Sequence, residues 1–300
     1  MDFTVKKYKE LLLTLQNSGY KCVSFRDYIL SEKLILKQSL TINGSQDYDA
    51  GAVRKSERKA GGGAASPGTQ RKRLILRHDV DRMPANSLRL ARLERDIGVT
   101  GTYYFRIVPE SYDLTVVDAI ARLGDEIGYH YEDVDLVTKS SEVRGKELSE
   151  DNLIDLAFES FRRNVKMLRE GYNVTTACMH GSPRSKYDNK IIWKKYSYMD
   201  LGIIGEPYLD IDFNKCAYFS DTGRRWNGGK VSIRDKVSSS YNFNYRTTTQ
   251  LIDNVDSLPD EVMLTIHPQR WNVNFVPWSN ELVAQNAKNF AKRLVNLKSR

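Results

Sequence analysis

No run of eighteen apolar residues occurs in this chain of 300 residues, so a membrane-spanning helix is not expected. The opening stretch, MDFTVKKYKELLLTLQNSGY, lacks the order of basic, apolar and small residues that marks a secretory signal, and reads instead as an amphipathic helix. Cysteine is scarce. Cys22, Cys178 and Cys216 are odd in number and far apart, which argues against a disulfide framework. A cytoplasmic protein is the resulting expectation. Basic charge is not spread over the chain either. The net charge is +8, but seven Lys and Arg residues between Arg54 and Arg73, against Glu57 alone, supply +6 of it. The remainder is near neutral, so a nucleic-acid-binding face is not expected beyond that segment.

What is present suits an α/β chain. An apolar fraction of 40% over this length provides a sizeable core, and 300 residues are ordinary for an α/β barrel. Leu11, Leu12 and Leu15 fall at helical spacing within residues 3–17, ahead of the terminator Asn17-Ser18-Gly19. A short strand at 20–25 and a second helix at 26–37 follow, and residues 1–42 are expected to form an N-terminal helical layer packed on a barrel. Periodicity then vanishes. Residues 43–72 contain KAGGGAASPGTQ, which buries too little surface to offset the entropy of ordering it, and read as a flexible basic insertion. From 73 to the end, strands alternate with helices, the pattern of a parallel sheet with crossover helices. Strands are expected at LILRHDVD (74–81), GTYYF (101–105), EIGYH (126–130), TTACMH (175–180), near Ile203, Tyr218 and Val231, and at MLTIH (263–267). Helices are expected from Pro84, over 116–123, over 149–170, over 189–196 and over 280–297. The helix over 149–170 has the clearest stripe: Leu153, Ala157, Phe161, Val165 and Leu168.

Polar residues punctuate the strand ends: HDVDR at 78–82, HYED at 130–133, HGSPR at 180–184, SDTGRRW at 220–226 and HPQRW at 267–271. Loops beyond the C-terminal ends of parallel strands are where α/β folds carry their sites. The four histidines, His78, His130, His180 and His267, all fall in these motifs, several beside aspartates. None is spent elsewhere, which favours metal ligation or acid–base work over background usage.

The order and spacing of these motifs resemble the polysaccharide deacetylase family (carbohydrate esterase family 4) from about Leu74 to the C-terminus. GDEIGYH is similar to its glycine–glutamate–isoleucine–glycine–x–histidine segment, HGSPR stands at its arginine–proline motif, and LTIHP at its leucine–x–histidine motif. RHDVD resembles a variant with an aspartate-x-aspartate pair. The resemblance implies an irregular (β/α) barrel of parallel strands, with Asp79 as general base and Asp81 as a metal ligand beside His130. The chain departs from the family where a second histidine should stand four residues on, since Val134 is there. His180, Asp133 and Glu132 are the candidates for the third ligand, with His180 favoured because a strand-end histidine converges on the barrel axis. The family arginine near position 180 is also missing, which leaves Arg77 or Arg184 to orient the base.

The chemistry implied is metal-dependent hydrolysis. A divalent ion, Zn²⁺ foremost, on Asp81, His130 and His180 would activate water, Asp79 would take its proton, and His267 would protonate the leaving amine with Asp221 setting its tautomer. The substrate implied is an N-acetylated sugar or a nucleotide-sugar or glycan precursor. Tyr131, Arg184, Trp226 and Trp271 are its candidate contacts, with barrel-rim core as the other role for the two tryptophans. Arg224 and Arg225 are expected to pair with Asp221 and neighbouring acids in preference to binding a phosphate. The alternatives are a sugar-binding barrel that has lost catalysis, and a metal hydrolase acting on another amide or a phosphoester.

Overall fold

The computed structural model describes residues 1–44, 72–141, 143, 147–181, 185–227 and 237–298. Seven parallel strands form one sheet, curled into a half-barrel with helices around it. In chain order the strands are β1 (Lys21–Val23), β2 (Arg73–Val80), β3 (Thr102–Phe105), β4 (Glu126–Tyr131), β5 (Ala177–Met179), β6 (Cys216–Ser220) and β7 (Glu261–Ile266). The principal helices are α1 (Val5–Asn17), α2 (Phe25–Gly44), α3 (Pro84–Asp96), α4 (Leu114–Arg122), α5 (Asp133–Lys139), α6 (Glu150–Arg169), α7 (Pro207–Asp210), α8 (Thr248–Asp253) and α9 (Phe275–Lys298).

The strand order is β5-β4-β3-β2-β7-β6, with β1 beside β2. Strand β2 is the hub. One of its edges pairs with β7 from Arg73 to His78, while β1 takes Arg73 to Ile75 and β3 takes Arg77 to Val80. The segment expected as an N-terminal helical layer therefore also supplies a strand to the sheet. Among the described residues β5 and β6 do not pair, so the barrel is open there.

Side chains alternate across each strand, and the two faces have different fates. Leu74 and Leu76 of β2, Val262, Leu264 and Ile266 of β7 and Phe219 of β6 face outward, where Leu11, Leu12 and Leu15 of α1, Leu90 of α3 and Leu251 of α8 cover them. Tyr129 and Tyr131 of β4 pack outward on the expected stripe of α6. The concave face carries Ile75, Tyr104, Cys178, Cys216 and Met263, floored by Phe25 and Ile29 of α2. At Gly128 the concave face has no room for a side chain, because a Cβ there would overlap the ring of Tyr104 on the neighbouring strand. That close approach explains the second glycine of GDEIGYH.

Most expected elements are present, with three differences. The segment near Ile203 is not a strand; it makes one isolated bridge, Thr176 to Gly205. Residues 189–194 form a tight 3-10 helix rather than a longer α-helix. The last helix starts at Phe275, ahead of the expected Asn280, with Pro277 in its first turn where no N–H partner is needed. The expected strand near Val231 and residues 45–71 of the expected insertion lie outside the described residues. Among the described residues no helix is long and apolar enough to cross a membrane.

Two buried carboxyls tie the strand connections together. Asp125 accepts the Gly101 N–H at 2.9 Å, and burial with Glu94 nearby pushes its pKa up to about 7. Glu206 accepts the Met179 N–H at 2.9 Å and caps α7, and burial raises it to about 7. Each binds a proton in the folded chain over a range where the unfolded chain has released it, so their contribution to stability declines as pH rises from about 4 to about 7. Denaturant titrations from pH 5 to 8 should show that decline, and Asp125→Asn, which keeps the acceptor oxygen, should make it shallower while the Glu206 contribution remains. Gly128→Ala should lower the unfolding free energy by about 1–3 kcal/mol through overpacking against Tyr104, measured the same way.

Candidate metal centre

The site forms where five strands end on the concave side. Alternation along β2 puts Arg77 and Asp79 inside and His78 outside. His78 stacks on Tyr103 at 3.9 Å and lies 2.9 Å from Glu94 and 3.1 Å from the Tyr8 hydroxyl, all buried on the convex face. Only three of the four histidines converge, which corrects the expectation drawn from the strand-end motifs. Asp81 follows the end of β2, His130 comes from β4, His180 follows β5, Asp221 follows β6 and His267 follows β7.

Asp81 Oδ1 lies 3.4 Å from His130 Nε2 and 3.5 Å from His180 Nε2. A tetrahedral ion with ligand bonds of about 2.0–2.1 Å separates its ligands by about 3.3 Å, so these spacings fit one ion. The protons fit as well. His130 Nδ1 sits 2.9 Å from the Cys178 carbonyl, which can only accept, so Nδ1 carries the hydrogen and Nε2 presents a lone pair. His180 Nδ1 sits 2.9 Å from Glu132 Oε2. Burial favours the neutral form of Glu132, yet His180 and Arg106 outweigh it and hold its pKa below the usual range, so Nδ1 again donates. Asp81 Oδ1 is buried without a hydrogen-bond donor. Burial would raise the Asp81 pKa, but the facing imidazoles of His130, His180 and His267 hold it well below its ordinary value. Asp81 Oδ1 and the two Nε2 atoms thus meet at one point, where a cation would replace the imidazole protons that hold Asp81 ionised.

A second group, Asp79, His130 and Cys178, shares His130 and also lies within reach of one ion. Here Asp79 is already committed. Arg77 Nε donates to its Oδ1 at 2.8 Å and Nη2 to its Oδ2 at 2.6 Å. A cation in that group would face a buried guanidinium, so the Asp81 group is the better site electrostatically. Asp79 Oδ2 still lies 3.8 Å from His130 Nε2, at the edge of the same space. Arg77, one of the two arginines considered for orienting the base, holds Asp79; Arg184 lies outside the described residues.

Across the site, His267 Nε2 is 3.9 Å from Asp81 Oδ2. Its Nδ1 lies 2.6 Å from Asp221 Oδ1, and its backbone N–H donates to Asp221 Oδ2 at 2.9 Å. Burial and Arg270 lower the His267 pKa, but Asp221 and Asp81 prevail and raise it above its ordinary value. Asp221 is itself held low against burial by Arg270 and His267, so it remains a carboxylate.

Several expected contacts are elsewhere. Tyr131 is fully buried, accepts the Trp193 indole N–H at 2.8 Å and packs edge-on to Phe161. It points outward because it neighbours the inward His130 on β4. Trp271 is also fully buried. Its indole N–H donates to Asp221 at 2.8 Å and its ring packs on Tyr8 and Phe3. Trp226 gives its N–H to Thr248 and joins the same cluster. None of the three offers a face to a sugar; the tryptophans take the core role. Asp133, considered as a ligand, turns to Tyr129, Ser160 and Asn164, and burial raises its pKa to about 7. Glu132 does not face the ion position but anchors His180 and Arg106. Asp221 pairs with Arg270, not with Arg224 or Arg225.

Sequence reasoning did not find the roles of Arg106, Gln269 and Arg270. Gln269 donates to Asp81 Oδ2 at 3.0 Å, and Arg106 bonds Glu132 at 2.8 Å. The available signal was their position, each within a few residues after a strand. Comparison with models of known protein families finds no match, and comparison with curated proteins finds none.

Chain purified without chelators should carry about one divalent ion by elemental analysis, and His130→Ala should lose it. Glu132→Gln, which removes the charge behind His180, should weaken metal affinity by about 10–100-fold in a competitive chelator titration.

Proposed function

We propose that this chain is a metal-dependent hydrolase of the polysaccharide deacetylase type, removing an acetyl group from an N-acetylated sugar or glycan precursor. One observation carries the reading: a carboxylate braced by an arginine, Asp79 on Arg77, and an imidazole braced by a carboxylate, His267 on Asp221, flank the Asp81–His130–His180 group from two sides. That arrangement supplies a base and an acid to one small volume, which amide hydrolysis requires and simple metal storage does not.

A divalent cation on Asp81, His130 and His180, Zn²⁺ by the nitrogen and oxygen donor set, supplies Lewis acidity to the amide carbonyl and to the attacking water. Asp79 takes the proton of that water as it attacks the carbonyl carbon. Arg77 holds the Asp79 carboxyl with two hydrogen bonds and fixes the direction of its free electron pairs. His267 delivers the proton from Nε2 to the amide nitrogen as the C–N bond breaks, releasing acetate and the amine. Asp221 holds the Nδ1 hydrogen in place and stabilises the imidazolium before transfer. A cytoplasmic setting belongs to this reading, in keeping with three cysteines that carry no disulfide.

The test is acetate release from a panel of N-acetylated hexosamines and their oligomers by the metal-loaded chain. His267→Gln should reduce the rate by about 10²–10⁴-fold at unchanged metal content. Asp79→Ala should do the same and also destabilise the fold by about 3–5 kcal/mol, because it strands Arg77 as a buried cation. Undiminished turnover in His267→Gln would remove the acid role, and no acetate from any substrate would favour a sugar-binding barrel without catalysis.

A further inference from the structure

A cavity of about 630 Å³ opens between the loop after β6, the start of α8, α9 and the N-terminus. That size lies within the range that small-molecule ligands occupy. Arg224, Arg225 and Arg246 line it together with Asn286, Asn289 and the N-terminal Asp2. Its wall includes the loop after β6, which begins at Asp221: the Arg224 N–H bonds the Asp221 carbonyl at 2.9 Å, and Asn289 Nδ2 bonds the Gly223 carbonyl at 3.0 Å.

Arg224 is the informative residue. The residue is 8% exposed, and its Nε is buried with no hydrogen-bond partner among the described residues. The guanidinium is stacked against Phe3 at 5.3 Å and Trp278 at 5.1 Å, which fixes its plane. Among the described residues its other nitrogens reach two backbone carbonyls at long range, Arg270 at 3.4 Å and Asp2 at 3.5 Å. Among the described residues no carboxylate forms an ion pair with it. The acids whose charge it senses are engaged elsewhere: Glu281 with Arg82 at 2.7 Å, Asp2 with the Thr248 N–H at 3.0 Å, and Asp221 with His267 and Arg270. A desolvated cation with an unused donor is costly in a stable fold unless an anion completes it. Guanidinium forks are suited to phosphate oxygens.

We propose that this cavity binds a phosphate or diphosphate group, and that the group belongs to the substrate, an N-acetylated sugar activated as a nucleoside diphosphate conjugate. Arg224 is the buried anchor, and Arg225 and Arg246 add charge around it. The assignment to substrate rests on the deacetylase reading; the anion site does not.

Calorimetric titration of the metal-stripped full chain with inorganic pyrophosphate tests the anion site without any hydrolysis. Binding should weaken at least about tenfold in Arg224→Gln and in Arg246→Gln. Arg246 is exposed, so its variant keeps the test informative should Arg224→Gln fold poorly. No pyrophosphate binding by the unaltered chain, or equal binding by both variants, overturns the site. In the metal-loaded chain, Arg246→Gln should raise KM for the nucleoside diphosphate conjugate about tenfold while leaving kcat, and KM for the free N-acetylated sugar, unmoved. Equal KM values for conjugate and free sugar in the unaltered chain overturn the assignment to substrate and leave phosphate as a separate ligand. Absence of acetate release from every sugar defeats the deacetylase reading, while the pyrophosphate titration still decides the cavity.

Discussion

The buried pair of Arg77 and Asp79 sets the terms for the rest of this structure. Both lie on the central strand, both point into the half-barrel, and neither could be there alone, since an unpaired charge at that depth costs several kcal/mol. Their alternation with Leu76, His78 and Val80 fixes which face of β2 is concave. That choice in turn orients β3 and β7, which pair along it, and so determines that Tyr104 and Met263 line the interior. The pair is both a folding constraint and one wall of the candidate metal centre.

Around it, the site is built from inward-facing strand-end residues that are held in place by partners from the neighbouring strand. Glu132 fixes His180, the Cys178 carbonyl fixes His130, and Asp221 fixes His267. In each case one ring nitrogen is committed to an acceptor and the other is presented to the same space. The lack of a second histidine four residues after His130 has a simple geometric account. The position four residues after His130 is Val134, at the start of α5 and fully buried. His180, on the neighbouring strand end, stands close enough to take its place: its backbone N–H bonds the Tyr131 carbonyl at 2.8 Å.

The aromatic residues illustrate how tertiary packing reassigns sequence neighbours. Trp226 and Trp271 follow polar motifs, but both turn back beneath the site, where with Phe3 and Tyr8 they form the floor that holds Asp221. The arginines next to Asp221 likewise exchange roles. Arg270 takes the carboxylate, and Arg224 is left lining a cavity of its own.

The sequence by itself determined the alternation of strands and helices, the stripe of α6, and the strand ends at which function would gather. Those features are local: period, capping and the switch from apolar to polar at a strand's end are written in consecutive residues. It also named Asp79, Asp81, His130, His180, Asp221 and His267 as the residues to watch. Only the folded chain decided that His78 faces away, that Arg77 holds Asp79, that Glu132 holds His180, and that Tyr131, Trp226 and Trp271 are core. Each of these turns on which side of a curled sheet a side chain takes and on which distant partner reaches it first. Pairing between strands far apart in sequence settles both, and no single segment encodes it.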